Sequence, residues 1–202
     1  MVQRIFVDSN VLASRTLRDW LFQLRNETDT MFQVHTTFDV LVETVRVFRR
    51  RNPTADGRRS RELFDLLMAN VDEVLGDFAG DVAFDGPDGD DLHIHAAAVA
   101  CRADKLLTLN ISHFPVSDTV PYEVYPPDDF FLLVDASAPF AVMRVTRQQN
   151  AYWEGRRSAG QSVKPLETAL VAAGCPEFAA RVNAHLRMLS GLYSLGGRAG
   201  AE

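Results

Sequence analysis

From residue 4 to residue 125, short apolar runs alternate with amphipathic segments. That alternation restricts the chain to an α/β architecture with a mainly parallel sheet. Residues 4–7 read as a buried strand that stops at Asp8-Ser9-Asn10. Val11, Leu12, Leu17, Trp20, Leu21 and Leu24 then follow helical spacing, with Ser9 or Asn10 as the cap. A second strand is expected over 32–35. Thr36 or Thr37 caps the next helix, whose apolar positions are Val40, Leu41, Val45 and Phe48, and Asn52-Pro53 ends it. Residues 60–75 predict another amphipathic helix, 92–103 an Ala-rich helix, 105–109 a strand, and Val124 the last strand. Gly86-Pro87-Asp88-Gly89 is a loop.

After Pro126-Pro127 only helical patterns remain, over 128–135, 138–153, 165–173 and 176–189, with Gly174-Cys175-Pro176 dividing the last two. The expected organisation is an α/β domain over 1–126, a helical extension over 127–190 and a flexible tail over 191–202. Apolar residues make up 47% of the chain, enough for a substantial core. No run approaches the ~20 apolar residues of a membrane span, and no export signal opens the chain. Cys101 and Cys175 lack metal-ligand spacing and read as buried thiols of a cytoplasmic protein.

Four acids lie at the ends of these elements: Asp8 after the first strand, Glu43 within Val40-Leu41-Val42-Glu43-Thr44-Val45, and Asp90 and Asp91 before an apolar helix. Strand ends are where parallel sheets hold ligands, and converging carboxylates suit a hard divalent cation. Each acid also has a plain structural explanation. Asp8 or Asp90–Asp91 can cap a helix, and Glu43 can pair with Arg46 three residues on. His93 and His95 fall on opposite helix faces, which excludes a zinc pair spaced at i, i+4. His113 follows Asn110 at the expected rim of the site. No glycine-rich phosphate loop and no Ser-His-Asp order is present.

The net charge is −6, yet Arg46, Arg49, Arg50, Arg51, Arg58, Arg59 and Arg61 lie close together with Asp56 as their one interspersed acid. This block can be a solvated helix face, a phosphate-contact patch or a surface for an acidic protein partner. Arginine's planar fork favours phosphate oxygens.

Together, Asp8-Ser9-Asn10-Val11-Leu12, Glu43 with Arg46, Asp90-Asp91-x-His93-Ile94-x-Ala96-Ala97-Ala98 and Thr108-Leu109-Asn110-x-x-x-Phe114-Pro115 resemble a PIN-domain protein. The branch is similar to the VapC-type toxins of bacterial toxin–antitoxin systems, and the likeness covers roughly residues 3–125. It implies a PIN-like fold and a Mg²⁺- or Mn²⁺-dependent ribonuclease with Asp8, Glu43 and Asp91 as its acidic triad. Asp8 and Asp91 are implied as metal ligands. Asn10, Asp90, Asn110 and His113 are implied in support, and Arg46, Arg49, Arg50 and Arg51 as RNA contacts. It also implies an antitoxin partner, a tRNA-like substrate and a homodimer, for which Leu63, Leu67 and Met68 offer either a contact surface or ordinary core. Many relatives carry Asp where this chain has His113, and commonly Thr where it has Ser9. A weakened or inactive PIN-fold binding module is therefore one alternative, and a DNA nuclease or phosphatase is another.

Overall fold

The computed structural model describes residues 2–28, 31–114 and 120–196. Its centre is a five-stranded, all-parallel sheet: β1 (Gln3–Val7), β2 (Phe32–Thr37), β3 (Glu73–Leu75), β4 (Lys105–Leu107) and β5 (Glu123–Tyr125). The strand order is β3-β2-β1-β4-β5. The chain thus builds outward from β1 on one side, then returns to pair β4 on the other. Such a reversal opens a crevice at the carboxyl ends of the two central strands. Val7 pairs with Leu107 there, so Asp8 and Thr108 leave the sheet side by side.

The helices α1 (Ser9–Leu12), α2 (Arg15–Thr28), α3 (Phe38–Arg51), α4 (Gly57–Asn70) and α5 (Leu92–Ala100) connect or flank these strands. Helices on both faces explain why Ile5, Phe6 and Val7 of β1 are all completely buried, without polar alternation. Thr37 caps α3 by accepting a hydrogen bond from the Val40 N–H, and α3 stops before Asn52-Pro53. The helix expected from Val11 to Leu24 is divided at Ala13-Ser14 into α1 and α2. Residues 71–75, expected to prolong α4, instead form the edge strand β3. Val71, Val74 and Leu75 satisfy helical spacing, but the chain gains backbone pairing with β2 by extending. His35, Thr36 and Thr37 align with Glu73, Val74 and Leu75, and the Asp72 N–H donates to the Val34 carbonyl at 2.8 Å.

The chain divides into two compact units. The first comprises Met1–Arg18 and Asp29–Pro127, the second Asp19–Thr28 and Asp128–Glu202. The change at Pro127 falls where the sequence becomes purely helical. Asp19–Thr28, expected within the α/β domain, belongs to the helical unit with α6 (Pro127–Ser137), α7 (Pro139–Ser158), α8 (Leu166–Ala172) and α9 (Pro176–Gly196). Its apolar face explains the difference. Trp20 meets the Phe178 ring edge-on at 5.0 Å, and Glu27 accepts a 2.7 Å bond from Arg144. Phe131 stacks obliquely on Phe178 in the same core. Gly174, at φ +85°, makes the left-handed turn that separates α8 from α9. The helix α9 continues to Gly196, beyond the expected end at 189, and 197–202 lie outside the described residues.

Both cysteines are buried free thiols, and burial pushes Cys101 up to about 11 and Cys175 up to about 12. Among the described residues no helix is long and apolar enough to cross a membrane. Leu63 and Leu67 face the core of the first unit, which places them in packing, whereas Met68 is exposed.

Candidate active site

Asp8 stands at the carboxyl end of the central strand, at the switch point of the sheet, and is only 4% exposed. A carboxylate so placed needs partners. Thr108, the first residue after β4 and fully buried, donates its hydroxyl to Asp8 Oδ2 at 2.6 Å. The Asn10 amide donates to the same oxygen at 2.7 Å and to Thr108 Oγ1 at 3.0 Å. Asn10 Oδ1 in turn accepts from the Leu109 N–H, and Thr108 Oγ1 from the Asn110 N–H, each at 3.0 Å. One side chain from the first turn of α1 and one from the end of β4 thus lock Asp8 in place. Burial still raises the Asp8 carboxyl above its ordinary range. The Thr108 hydrogen bond opposes that rise, and the charge of Asp91 adds to it.

Asp91 lies at the start of α5 and reaches His113, whose Nδ1 is 2.7 Å from Asp91 Oδ2. Asp88 Oδ2 is 3.7 Å from the same nitrogen. Asp88, Asp91 and His113 each offer one donor atom, and these atoms lie within 4.8 Å of one another. The segment that carries Asp88 is held against the His113 turn by packing. The Phe84 ring sits 5.1 Å from His95 and 6.2 Å from Phe114. Two residues on, Gly86 passes so near that a β-carbon there would meet the Phe84 ring and come within 2.6 Å of the His113 carbonyl. Only glycine permits that approach.

The other expected site residues are distributed as follows. Asp90 is exposed and stands outside the Asp88–Asp91–His113 group. Its N–H donates to Asp88 Oδ1, and its carbonyl accepts from His93 Nδ1 at 2.7 Å. Asp88, not Asp90 or Asp91, supplies the capping carboxylate of this turn. Asn110 contributes its backbone N–H to Thr108, while Asn10 is the amide that holds Asp8. His95 is a core residue sharing a 2.7 Å hydrogen bond with the Tyr122 hydroxyl. Glu43 lies on the exposed side of α3, opposite to the expectation of an acid within the apolar face. Val40, Leu41 and Thr44 take the buried positions. Among the described residues Glu43 forms no ion pair with Arg46. The helix α1, which begins directly after Asp8, packs against α3. Pro115, the last residue of the fourth motif, lies outside the described residues.

Two participants lie outside the expected set. Thr108 is a motif residue in the sequence, and its hydroxyl, at the end of the strand beside β1, donates to Asp8. Asp88 falls in the expected loop, yet its i, i+3 spacing from Asp91 across Gly89-Asp90 brings the two acids to one side.

Two carboxylates and an imidazole suit a divalent cation, and a cation beside Asp8 and Asp91 would relieve their mutual repulsion. Comparison with protein-family models, curated proteins and solved structures finds no match for this chain.

Proposed function

We propose that the chain is a divalent-metal-dependent endoribonuclease of PIN-like fold, acting as the toxin of a type II toxin–antitoxin pair. The observation that carries this reading is the buried Asp8 at the switch point, clamped by Thr108 and Asn10 and electrostatically coupled to Asp91. Evolving a fold with an unneutralised buried carboxylate is costly unless a cation completes it. Asp8 and Asp91 would hold Mg²⁺ or Mn²⁺, with Asp88 and His113 within reach of Asp91. When bound, such an ion lowers the pKa of water and offsets charge on a transferring phosphate.

The chain's own groups supply the rest. Thr108 and Asn10 fix the direction of the Asp8 carboxylate, as outer hydrogen bonds do at metal sites. Glu43, exposed and without an ion pair among the described residues, is free to orient the attacking water. His113, 2.7 Å from Asp91, would add an imidazole beside the cation. Cytoplasmic action on a structured RNA such as tRNA, release from an antitoxin and dimerisation belong to the same proposal.

The test is incubation of total RNA with purified protein, with and without Mg²⁺ or Mn²⁺, beside Asp8→Asn and Asp91→Asn. Metal-dependent cleavage that both variants lose is expected. Equal cleavage by the variants would refute the assignment. Expression of the protein alone should arrest growth, and harmless accumulation of folded protein would refute the toxin role.

One observation favours a second reading. The 2.7 Å contact between His113 and Asp91 satisfies that acid without any metal. A PIN-like binding module would use the site in this way, and calorimetry showing no metal uptake would support it.

A further inference from the structure

The arginine block is not one uniform patch. Arg58 pairs with Glu62 at 3.4 Å and Arg61 with Asp65 at 2.9 Å, so their charges are compensated within α4. Arg49 turns back to donate to the Ala55 carbonyl at 2.9 Å and braces the α3–α4 turn. Arg51 donates to the Ala13 carbonyl at 3.3 Å, which ties the end of α3 to the end of α1. Arg46, Arg50 and Arg59 have side chains with no ion pair or hydrogen bond among the described residues.

These uncompensated charges are ordered in space. Glu43, Arg46 and Arg50 recur at i, i+3 and i+7 and so share one exposed stripe of α3. From Glu43 to Arg50 the stripe runs about 10 Å at 1.5 Å per residue. Like charges at i, i+4 repel, so this pair costs α3 a little, while Arg50, in the last turn, complements the helix dipole. At the far end of the stripe the α3–α4 turn borders an open, polar concavity of about 430 Å³, lined among others by Arg51, Asn52, Thr54 and Arg59. Asp56 also lines it, but its carboxylate is engaged in capping the Arg59 N–H at 3.0 Å. Asp56 is thus committed to one N–H of the first turn of α4, and Arg51 and Arg59 are the cationic residues lining the concavity. Arg51 donates to the Ala13 carbonyl, while the Arg59 side chain has no hydrogen bond or ion pair among the described residues. Two arginines on one concavity suit a phosphodiester, whose two free oxygens accept from planar donors.

We infer that the concavity between α3 and α4 holds a backbone phosphate of the RNA, through Arg51 and Arg59, with the strand running along the Arg46–Arg50 stripe toward Glu43. This rests on the reading of the chain as acting on RNA. It separates the arginines that bind RNA from those that stabilise helices. Arg59 enters the binding set and Arg49 leaves it.

The experiment is fluorescence anisotropy with a labelled oligoribonucleotide in EDTA, so that binding is read without hydrolysis. Arg51→Ala with Arg59→Ala should weaken binding about tenfold or more and flatten the salt dependence by about 0.7 to 1.4 in log–log slope, the value for one or two phosphates on a single strand. Arg58→Ala with Arg61→Ala removes the same charge and should stay within about twofold. Arg59→Ala alone breaks no internal side-chain contact and should cost about threefold, with an unchanged melting curve. Equal losses in the two double variants would show bulk electrostatics and overturn the inference, as would no loss in the first. Displacement of the RNA by low-millimolar inorganic phosphate would overturn it in favour of a small-anion site. Binding that depends on Arg59 without any RNA cleavage would count against the nuclease and leave this site standing. Cleavage with Arg59-independent binding would do the reverse.

Discussion

Thr108→Val isolates the hydrogen bond on which the position of Asp8 depends. Valine keeps the shape of threonine and removes only the hydroxyl. Thr108 is fully buried, and its Oγ1 donates to Asp8 Oδ2 at 2.6 Å while accepting from Asn10 and from the Asn110 N–H. A bond to a charged acceptor contributes about 1.5–3 kcal/mol. The Asn110 N–H lies at an exposed residue and can turn to water, and Asn10 keeps its bond to Asp8. The expected loss is therefore about 2 kcal/mol, which in a chain of this size lowers Tm by about 4–8 °C.

The pH dependence distinguishes this bond from simple packing. Thr108 favours the charged form of Asp8, against the upward pull of burial. Its removal raises the Asp8 pKa further. The cost of the substitution should then be full at neutral pH, where Asp8 must ionise, and should shrink as pH falls and Asp8 takes up its proton in both proteins. Thr108→Ser retains the hydroxyl, loses about one methyl group and about 1 kcal/mol, and should show no such trend. Thermal melts of the three proteins at neutral pH and below about pH 3.9, the ordinary Asp value, provide the comparison. A Thr108→Val cost that is independent of pH, or smaller than that of Thr108→Ser at neutral pH, would refute the reasoning.

Three other outcomes are expected. Gly86→Ala removes no candidate ligand, yet its β-carbon meets the Phe84 ring and the His113 carbonyl, so Mn²⁺ affinity should fall about tenfold by calorimetry if that approach holds the site together. His113→Asp exchanges imidazole for carboxylate and should lower the preference for Mn²⁺ over Mg²⁺ by about tenfold, because imidazole suits transition metals and carboxylate suits Mg²⁺; an unchanged ratio would remove His113 from the site. Mn²⁺ at about one hundred times its Kd should stabilise the protein by about 2.7 kcal/mol, seen as a rise in Tm. Without metal, the raised Asp8 pKa makes the fold lose stability as pH rises through the Asp8 titration. The Mn²⁺ effect runs oppositely, being full at neutral pH and lost as pH falls through the same range.

Local signals were legible in the sequence wherever local chemistry decided the structure. The strand ending at Asp8, the Thr37 cap and the stop at Asn52-Pro53 each depend on a few adjacent residues. What failed to show was set by partners far along the chain. Residues 71–75 have helical spacing and become a strand because β2 offers its edge. Asp19–Thr28 leaves the α/β unit because Trp20 finds Phe178. The site divides in the same way. Asp8 and Asp91 were visible as acids at element ends. Thr108 became part of the site only when β4 paired with β1, and Asp88 only when Gly86 let its loop close on His113. Glu43 was expected within an apolar face because Val42 and Val45 flank it, but Val42 is itself exposed and the buried stripe runs through Val40, Leu41 and Thr44.

The central claim is that Asp8 and Asp91 together hold a divalent ion. Crystals soaked in Mn²⁺, with anomalous density recorded at the manganese edge, test it most directly. A peak in contact with both Asp8 and Asp91, absent in Asp8→Asn, is expected. A peak bound by Asp88, Asp91 and His113 without Asp8, or no peak beside Asp91 at all, would contradict it.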